Sequence, residues 1–253
     1  MNIVFPEHII VTDQEIDCTH LSAQRKDFIV SFTKRLIALY KEQGEGRKVY
    51  AIAGPSGSGK SYLSILTEIL GKQIDSEVRI IPVSIDAYHF PNEYLSQTAT
   101  LGGTLKDVKG RFDTYDVPAL LCDLQDFKDG NSMRLPMYSR KLHEPISGEI
   151  KVSDGPAIML IEGLWLLYSE HEGIGWREIS GLFDRSYFLE DSPASLRAHT
   201  IERHVRGGRA EGDAARQYDE HDAQNKTLVL ATKERADERL TWPASQNFNL
   251  SRE

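Results

Sequence analysis

The chain has 253 residues, 40% of them hydrophobic and 27% charged, with only two cysteines. This is an ordinary globular balance with room for one large α/β domain or two small ones. Cys18 and Cys122, far apart, speak against a disulfide framework or zinc site and fit a reducing, cytoplasmic setting. The formal charge of −8 argues against attraction to nucleic acid by the overall field, so any phosphate must be held by a local device.

The opening "MNIVFPEHII" lacks a basic segment followed by a long apolar one, so no signal peptide is read. No apolar run reaches membrane-spanning length; the longest, "AIMLIEGLWLLY", is broken by Glu162 and Gly163. Residues 1–21 carry no assignable pattern. From Leu21 to Gln43, Phe28, Ile29, Phe32, Leu36, Ile37 and Tyr40 recur at helical spacing and predict an amphipathic helix ended by Gly44 and Gly46. "KVYAIA" (48–53) predicts a strand. "SYLSILTEIL" (61–70) predicts a helix stopping at Gly71. "VRIIPVSID" (78–86) predicts a buried strand with Asp86 at its end. A polar, glycine-bearing stretch follows from Pro91 to Gly110. "DVPALLCDLQDF" (116–127) predicts a helix with Pro118 in its first turn. "AIMLIEGLWLL" (157–167) begins as a strand, and "SYFLE" (186–190) is another. Residues 193–239 read as charged and helical, interrupted at Gly207 and Gly208, and "NFNL" (247–250) as a final edge strand. Strands alternating with helices predict a mainly parallel sheet covered on both faces. The expected organisation is an N-terminal extension over 1–47 and one catalytic domain over 48–253.

Between the first strong strand and the helix after it lies "GPSGSGKS", Gly54 to Ser61. It satisfies G-x-x-x-x-G-K-[ST] in the required strand-then-helix context. Its glycines, Gly54, Gly57 and Gly59, together with Ser56 and Ser58, let backbone N–H groups turn inward around an anion. The following helix adds its N-terminal N–H groups and dipole. In that setting Lys60 neutralises β- and γ-phosphate oxygens and Ser61 ligates Mg²⁺, which implies MgATP. Asp86, at the carboxyl end of a strand, sits where open α/β sheets bind ligands and is placed to take a proton from an attacking hydroxyl. Glu162, at another strand end, is placed to hold Mg²⁺ through water. Arg203, Arg206 and Arg209 flank two glycines, as in a lid that closes on a transferring phosphoryl group. Tyr88 and His89 are placed either to contact an acceptor or to pack at the sheet edge.

These stretches resemble the uridine kinase, phosphoribulokinase and bacterial pantothenate kinase family, in order from about Lys48 to Asn225. "IDAYHF" resembles the stretch that carries that family's catalytic aspartate, a role the resemblance gives to Asp86. "DTYDVPALL" resembles the segment whose first acid contacts acceptor hydroxyls, which implies such a role for Asp113. "PMYSRKLHEP" resembles the stretch whose tyrosine and histidine line the acceptor pocket, which implies Tyr138 and His143. "ERHVRGGR" and "HDAQN" resemble the lid, about 197–225. Ala87 and Ser139 stand where many relatives carry glycine and aspartate. The resemblance implies a three-layer P-loop fold and transfer of a phosphoryl group from ATP to a small hydroxyl compound such as a nucleoside, sugar, polyol or pantothenate. The competing expectation is a regulatory P-loop ATPase acting through a protein partner. No nucleic-acid or membrane partner is expected, and a homo-oligomer is compatible with the sequence.

Overall fold

The computed structural model describes residues 3–171 and 173–243. A short hairpin, β1 (His8–Val11) and β2 (Gln14–Asp17), comes first, in the stretch whose sequence carried no pattern. The helix α1 (Ala23–Glu42) follows, with the Ser22 hydroxyl accepting from Arg25 N at its start. Then come β3 (Arg47–Ala53), α2 (Lys60–Ile74) and β4 (Ile80–Ser84). Residues 85–88 form a 3₁₀ turn. Small elements fill the polar stretch: α3 (Asn92–Gln97) and a two-residue ladder of β5 (Ala99–Thr100) with β6 (Gly103–Thr104). The helix α4 (Val117–Lys128) is capped by the Asp116 carboxylate on Ala119 N. A hairpin of β7 (Met133–Ser139) and β8 (Glu144–Val152), which the sequence reading passed over, leads to β9 (Ala157–Gly163). The chain continues through α5 (Trp176–Ser180), β10 (Arg185–Glu190), α6 (Pro193–Arg206), α7 (Glu211–Gln217), a π-helical turn over 218–222, α8 (Ala223–Leu230) and β11 (Glu238–Thr241).

The main sheet has five parallel strands in the order β11-β10-β3-β9-β4. Strand alternation builds the three layers. On β3, Val49, Ala51 and Ala53 enter the core beneath α4 and α5, while Tyr50 and Ile52 enter the core beneath α1 and α2. On β9, Met159 and Ile161 face the first core, and Ile158 and Leu160 the second. The buried stripe of α1 includes Ile29, Phe32, Leu36 and Tyr40, so this helix closes the second core. Burying such a side chain contributes about 1.5–3 kcal/mol. Pro82 sits in β4 at the sheet edge, where a missing N–H is tolerated.

Two boundaries differ from expectation. Gly71 does not end α2, which runs on to Ile74. A Cβ on Gly71 would lie 2.7 Å from Ile80 Cδ1, so this glycine permits close helix-on-strand packing. The stretch 193–239 is not helical throughout, because β11 adds a strand beside β10. The alternating charged residues of "ERLT" hide that strand: only Leu240 of the four is buried. The expected strand "NFNL" lies outside the described residues. Among the described residues no helix is long and apolar enough to cross a membrane.

Candidate active site

The parallel strands bring three loops to one edge of the sheet. Glu162 of β9 lies between Ile52 of β3 and Ser84 of β4 in register. The glycine loop therefore leaves β3 on one side of Glu162, and Asp86 follows β4 on the other. Gly57 has φ +79°, and a Cβ there would sit 2.5 Å from Leu196 O on α6, so only glycine suits this bend. The loop is shaped from outside. Arg203 Nη2 donates to Ser56 Oγ at 2.6 Å, and Trp242 Nε1 donates to Ser58 O at 2.7 Å. The first turn of α2 presents its unsatisfied N–H groups into the concave loop, as a phosphate cradle requires.

Lys60 is almost fully buried, and its Nζ donates to Pro55 O at 2.8 Å. Burial lowers its ammonium to about 8, against the opposing pull of Glu162. Ser61 Oγ donates to Glu162 Oε1 at 2.8 Å. Burial raises the Glu162 carboxyl, with Lys60 opposing. A hydroxyl and a carboxylate side by side at the cradle's mouth are hard oxygen donors that fit Mg²⁺.

Asp86 opens the 3₁₀ turn, with its N–H on Ser84 Oγ at 3.3 Å. Burial alone would raise its carboxyl. The Arg140 guanidinium, 3.1 Å from Oδ2, together with Arg203 and Lys60, outweighs that and holds it below its ordinary value, so the carboxylate is ionised at neutral pH. His89 packs its ring on Tyr115, 4.0 Å between centroids, and its Nδ1 donates to Asp86 O at 2.9 Å. Burial lowers the imidazole to about 4 and keeps it neutral.

Two cavities meet here. One, of about 380 Å³, lies over the glycine loop and is lined by Lys60, Ser61, Arg206 and Trp242, with Gln14 and Ile16 of the N-terminal hairpin. The other, of about 440 Å³, is lined by Asp86, His89, Tyr138, His143 and Asn225. Both volumes suit metabolite-sized ligands. Arg140, Arg203 and Gln14 line both cavities and mark the passage between them.

Most of the sequence-predicted residues converge here. The glycine loop, Lys60, Ser61, Asp86 and Arg203 frame the passage, Glu162 lies behind it on Ser61 Oγ, and His89, Tyr138 and His143 line the second cavity. Arg206 lines the first cavity but pairs with Glu202 at 3.3 Å. Two residues do not join. Asp113 is held by Arg111 in two hydrogen bonds of 2.7 Å and lines neither cavity. Tyr88 turns into the core, where its hydroxyl donates to Asp123 Oδ2 at 2.9 Å, because the 3₁₀ turn sends positions 86 and 88 opposite ways.

Sequence reasoning missed Arg140, Lys109, Trp242 and the N-terminal hairpin. The hairpin tip is tied to the tip of the β7–β8 hairpin by Asp13. Its carboxylate accepts from Ser139 Oγ at 2.7 Å, Arg140 N at 3.1 Å and Lys141 N at 3.0 Å. Ser139 is thus paired with a carboxylate from the N-terminal arm. A basic pair after that serine was the available signal for Arg140; nothing local in the sequence points to Asp13.

Comparison with known proteins bears on the family and the fold. The profile described as "Phosphoribulokinase / Uridine kinase family" matches residues 49–212. The uncharacterized protein YggC of Escherichia coli is 28% identical over 79% of this chain and 80% of its own. A pantothenate kinase of Streptococcus thermophilus is 26% identical over 69% of this chain; the match spans about half, 54%, of that enzyme. A solved kinase of Silicibacter sp. TM1040, named provisionally for a fructose transport system, superposes with a TM-score of 0.72 at 25% identity, covering 85% of this chain and 98% of that one. The D-glycerate 3-kinase of Cryptococcus neoformans shares the fold, with a TM-score of 0.54 at 14% identity over 84% of this chain and 89% of its own. With the family profile spanning most of the chain, the protein belongs to the phosphoribulokinase/uridine kinase family of P-loop small-molecule kinases.

Proposed function

We propose that this chain transfers the γ-phosphoryl group of MgATP to a hydroxyl of a small metabolite bound beside Asp86. The observation that carries the reading is the passage framed by Lys60, Arg203, Arg140 and Asp86, with a phosphate cradle on one side and a separate metabolite-sized cavity on the other. The glycine loop and the α2 N-terminus hold the phosphates, and Lys60 leaves Pro55 O to meet their charge. Ser61 and, through water, Glu162 would hold magnesium, which would supply charge neutralisation for the phosphates. Asp86 accepts the acceptor's hydroxyl proton as that oxygen bonds to the γ-phosphorus and the bond from phosphorus to the ADP oxygen breaks. Arg203, already on the loop, stabilises the equatorial oxygens, and closure of α6–α8 excludes water.

The test is ADP release with mass detection of product across nucleosides, sugars, polyols and vitamins. The reading expects a product heavier by one phosphoryl group with ADP in equal amount. ATP hydrolysed to phosphate, with no acceptor modified, would favour the regulatory ATPase.

A further inference from the structure

The acceptor cavity carries more positive charge than phosphoryl transfer from ATP requires. Its wall holds five basic side chains, Lys106, Lys109, Arg140, Arg203 and Arg209, against two carboxylates, Asp86 and Asp222. Both acids are engaged, Asp86 with Arg140 at 3.1 Å and Asp222 with His204 Nε2 at 2.8 Å. Arg203 reaches the glycine loop and belongs to the ATP side. The cations on the far side have only neutral partners. Lys109 Nζ donates to Asn92 Oδ1 at 2.8 Å and His143 O at 2.7 Å, and Arg209 Nη1 donates to Gln217 Oε1 at 2.7 Å. The nearby Glu144 has both oxygens on Asn92 N, at 2.9 and 3.1 Å. Among the described residues no carboxylate oxygen lies within 4.0 Å of Lys106, Lys109 or Arg209 charges. Burial holds the Lys109 ammonium below its ordinary value, against the pull of Glu144 and Asp86, neither of which is in contact with it.

A second observation points to a ligand in the same place. His89 is 6% exposed, and its Nε2 is buried with no hydrogen-bond partner. Because Nδ1 donates to a carbonyl, which can only accept, Nε2 is a bare acceptor. A buried acceptor beside the catalytic carboxylate wants a hydroxyl.

We infer that the acceptor is a hydroxylated organic anion, a hydroxy acid or a sugar phosphate, with hydroxyls at Asp86 and His89 Nε2 and its carboxylate or phosphate toward Lys109 and Arg209. The inference rests on the kinase reading above and narrows its substrate class. A neutral nucleoside or free sugar would leave those cations without a counter-charge, whereas an anion gains charge-assisted hydrogen bonds.

The experiment uses matched pairs: glycerate and glycerol, pantothenate and pantothenol, ribulose 5-phosphate and ribulose, with uridine as a further neutral compound. Binding is measured by calorimetry with a non-hydrolysable ATP analogue present, and turnover with ATP. At least one anion is expected to exceed its neutral twin about tenfold or more in affinity and kcat/KM, the value of one good charge-assisted hydrogen bond. The responding pair tells carboxylate from phosphate. Lys109→Met and Arg209→Ala should each erase most of that preference, while MgATP affinity and melting temperature report an intact fold. A panel in which no anion outbinds its twin overturns the inference, whatever is phosphorylated. A panel with anion binding but no phosphorylated product instead overturns the kinase reading and leaves the anion site standing.

Discussion

Lys60 spans two states at the residue scale: folded back on Pro55 O in the free protein, and turned to phosphate in the reaction. Lys60→Ala removes a buried charge whose partners are the loop's own polar atoms, Pro55 O and Ser58 Oγ. Turnover should fall by about 10²-fold or more while the melting temperature holds, and gross unfolding or unaltered kcat would contradict this. Its titration gives a second check. The ammonium is protonated below about 8 and loses its proton above that value. Bound polyphosphate favours the charged form, so above pH 8 binding must take up a proton. The MgATP Kd should therefore weaken as pH rises from 8 to 9.5, approaching about tenfold per unit for one linked proton. Calorimetry giving a flat profile over that range would remove Lys60 from phosphate binding. Asp86 makes the opposite demand, because Arg140 keeps it ionised. Asp86→Asn preserves shape but cannot take up a proton at neutral pH, so transfer should fall by about 10²–10⁴-fold with MgATP affinity nearly whole. Poorer Mg²⁺ dependence would indicate a metal ligand instead, and normal turnover would exclude Asp86 from the chemistry.

Among the elements, the N-terminal hairpin has the least expected place. It clasps the β7–β8 hairpin through Asp13, and the clasped tip carries Arg140, the partner of Asp86. Asp13→Ala should free that tip, raising acceptor KM or lowering kcat by about tenfold while MgATP affinity stays within about twofold; Asp13→Asn, which still accepts hydrogen bonds, should restore part of the loss. Equal loss of both affinities would mean a general structural defect. The contrast between what the sequence disclosed and what it hid has a physical basis. Strands β3, β9 and β10 are buried on both faces and read as apolar runs, and the glycine loop has fixed spacing, so the sheet and the cradle were legible. The β1–β2 and β7–β8 hairpins are half exposed, with mixed apolar and polar residues, and gave weak periodicity. Asp86 was legible from its strand end. Asp113 misled because Arg111, two residues away, competes for its carboxylate, which local spacing does not reveal. Lys109 and Arg140 act through long-range juxtaposition, and only the fold brings them to one cavity.

For the whole molecule, a chain of net charge −8 still brings Lys60, Lys109, Arg140, Arg203 and Arg209 to two adjoining cavities. Residues 197–225 reach both cavities: Thr200 and Arg203 of α6 touch the glycine loop, and Asp222 and Asn225 line the second cavity. A non-hydrolysable ATP analogue with Mg²⁺ should therefore slow amide exchange across 197–225 by about tenfold or more, with α1 and α4 unchanged. Protection confined to the glycine loop, or uniform across the sheet, would contradict a closing lid. The hydrogen bond from Trp242 to Ser58 O joins residues 184 positions apart, and β3 pairs with strands more than a hundred residues downstream. During synthesis the glycine loop emerges early, whereas its contact from Trp242 can form only when nearly the whole described chain has left the ribosome. Such distant pairings form slowly. A chain stalled before Trp242 would carry the loop's letters without the hydrogen bond that steadies it.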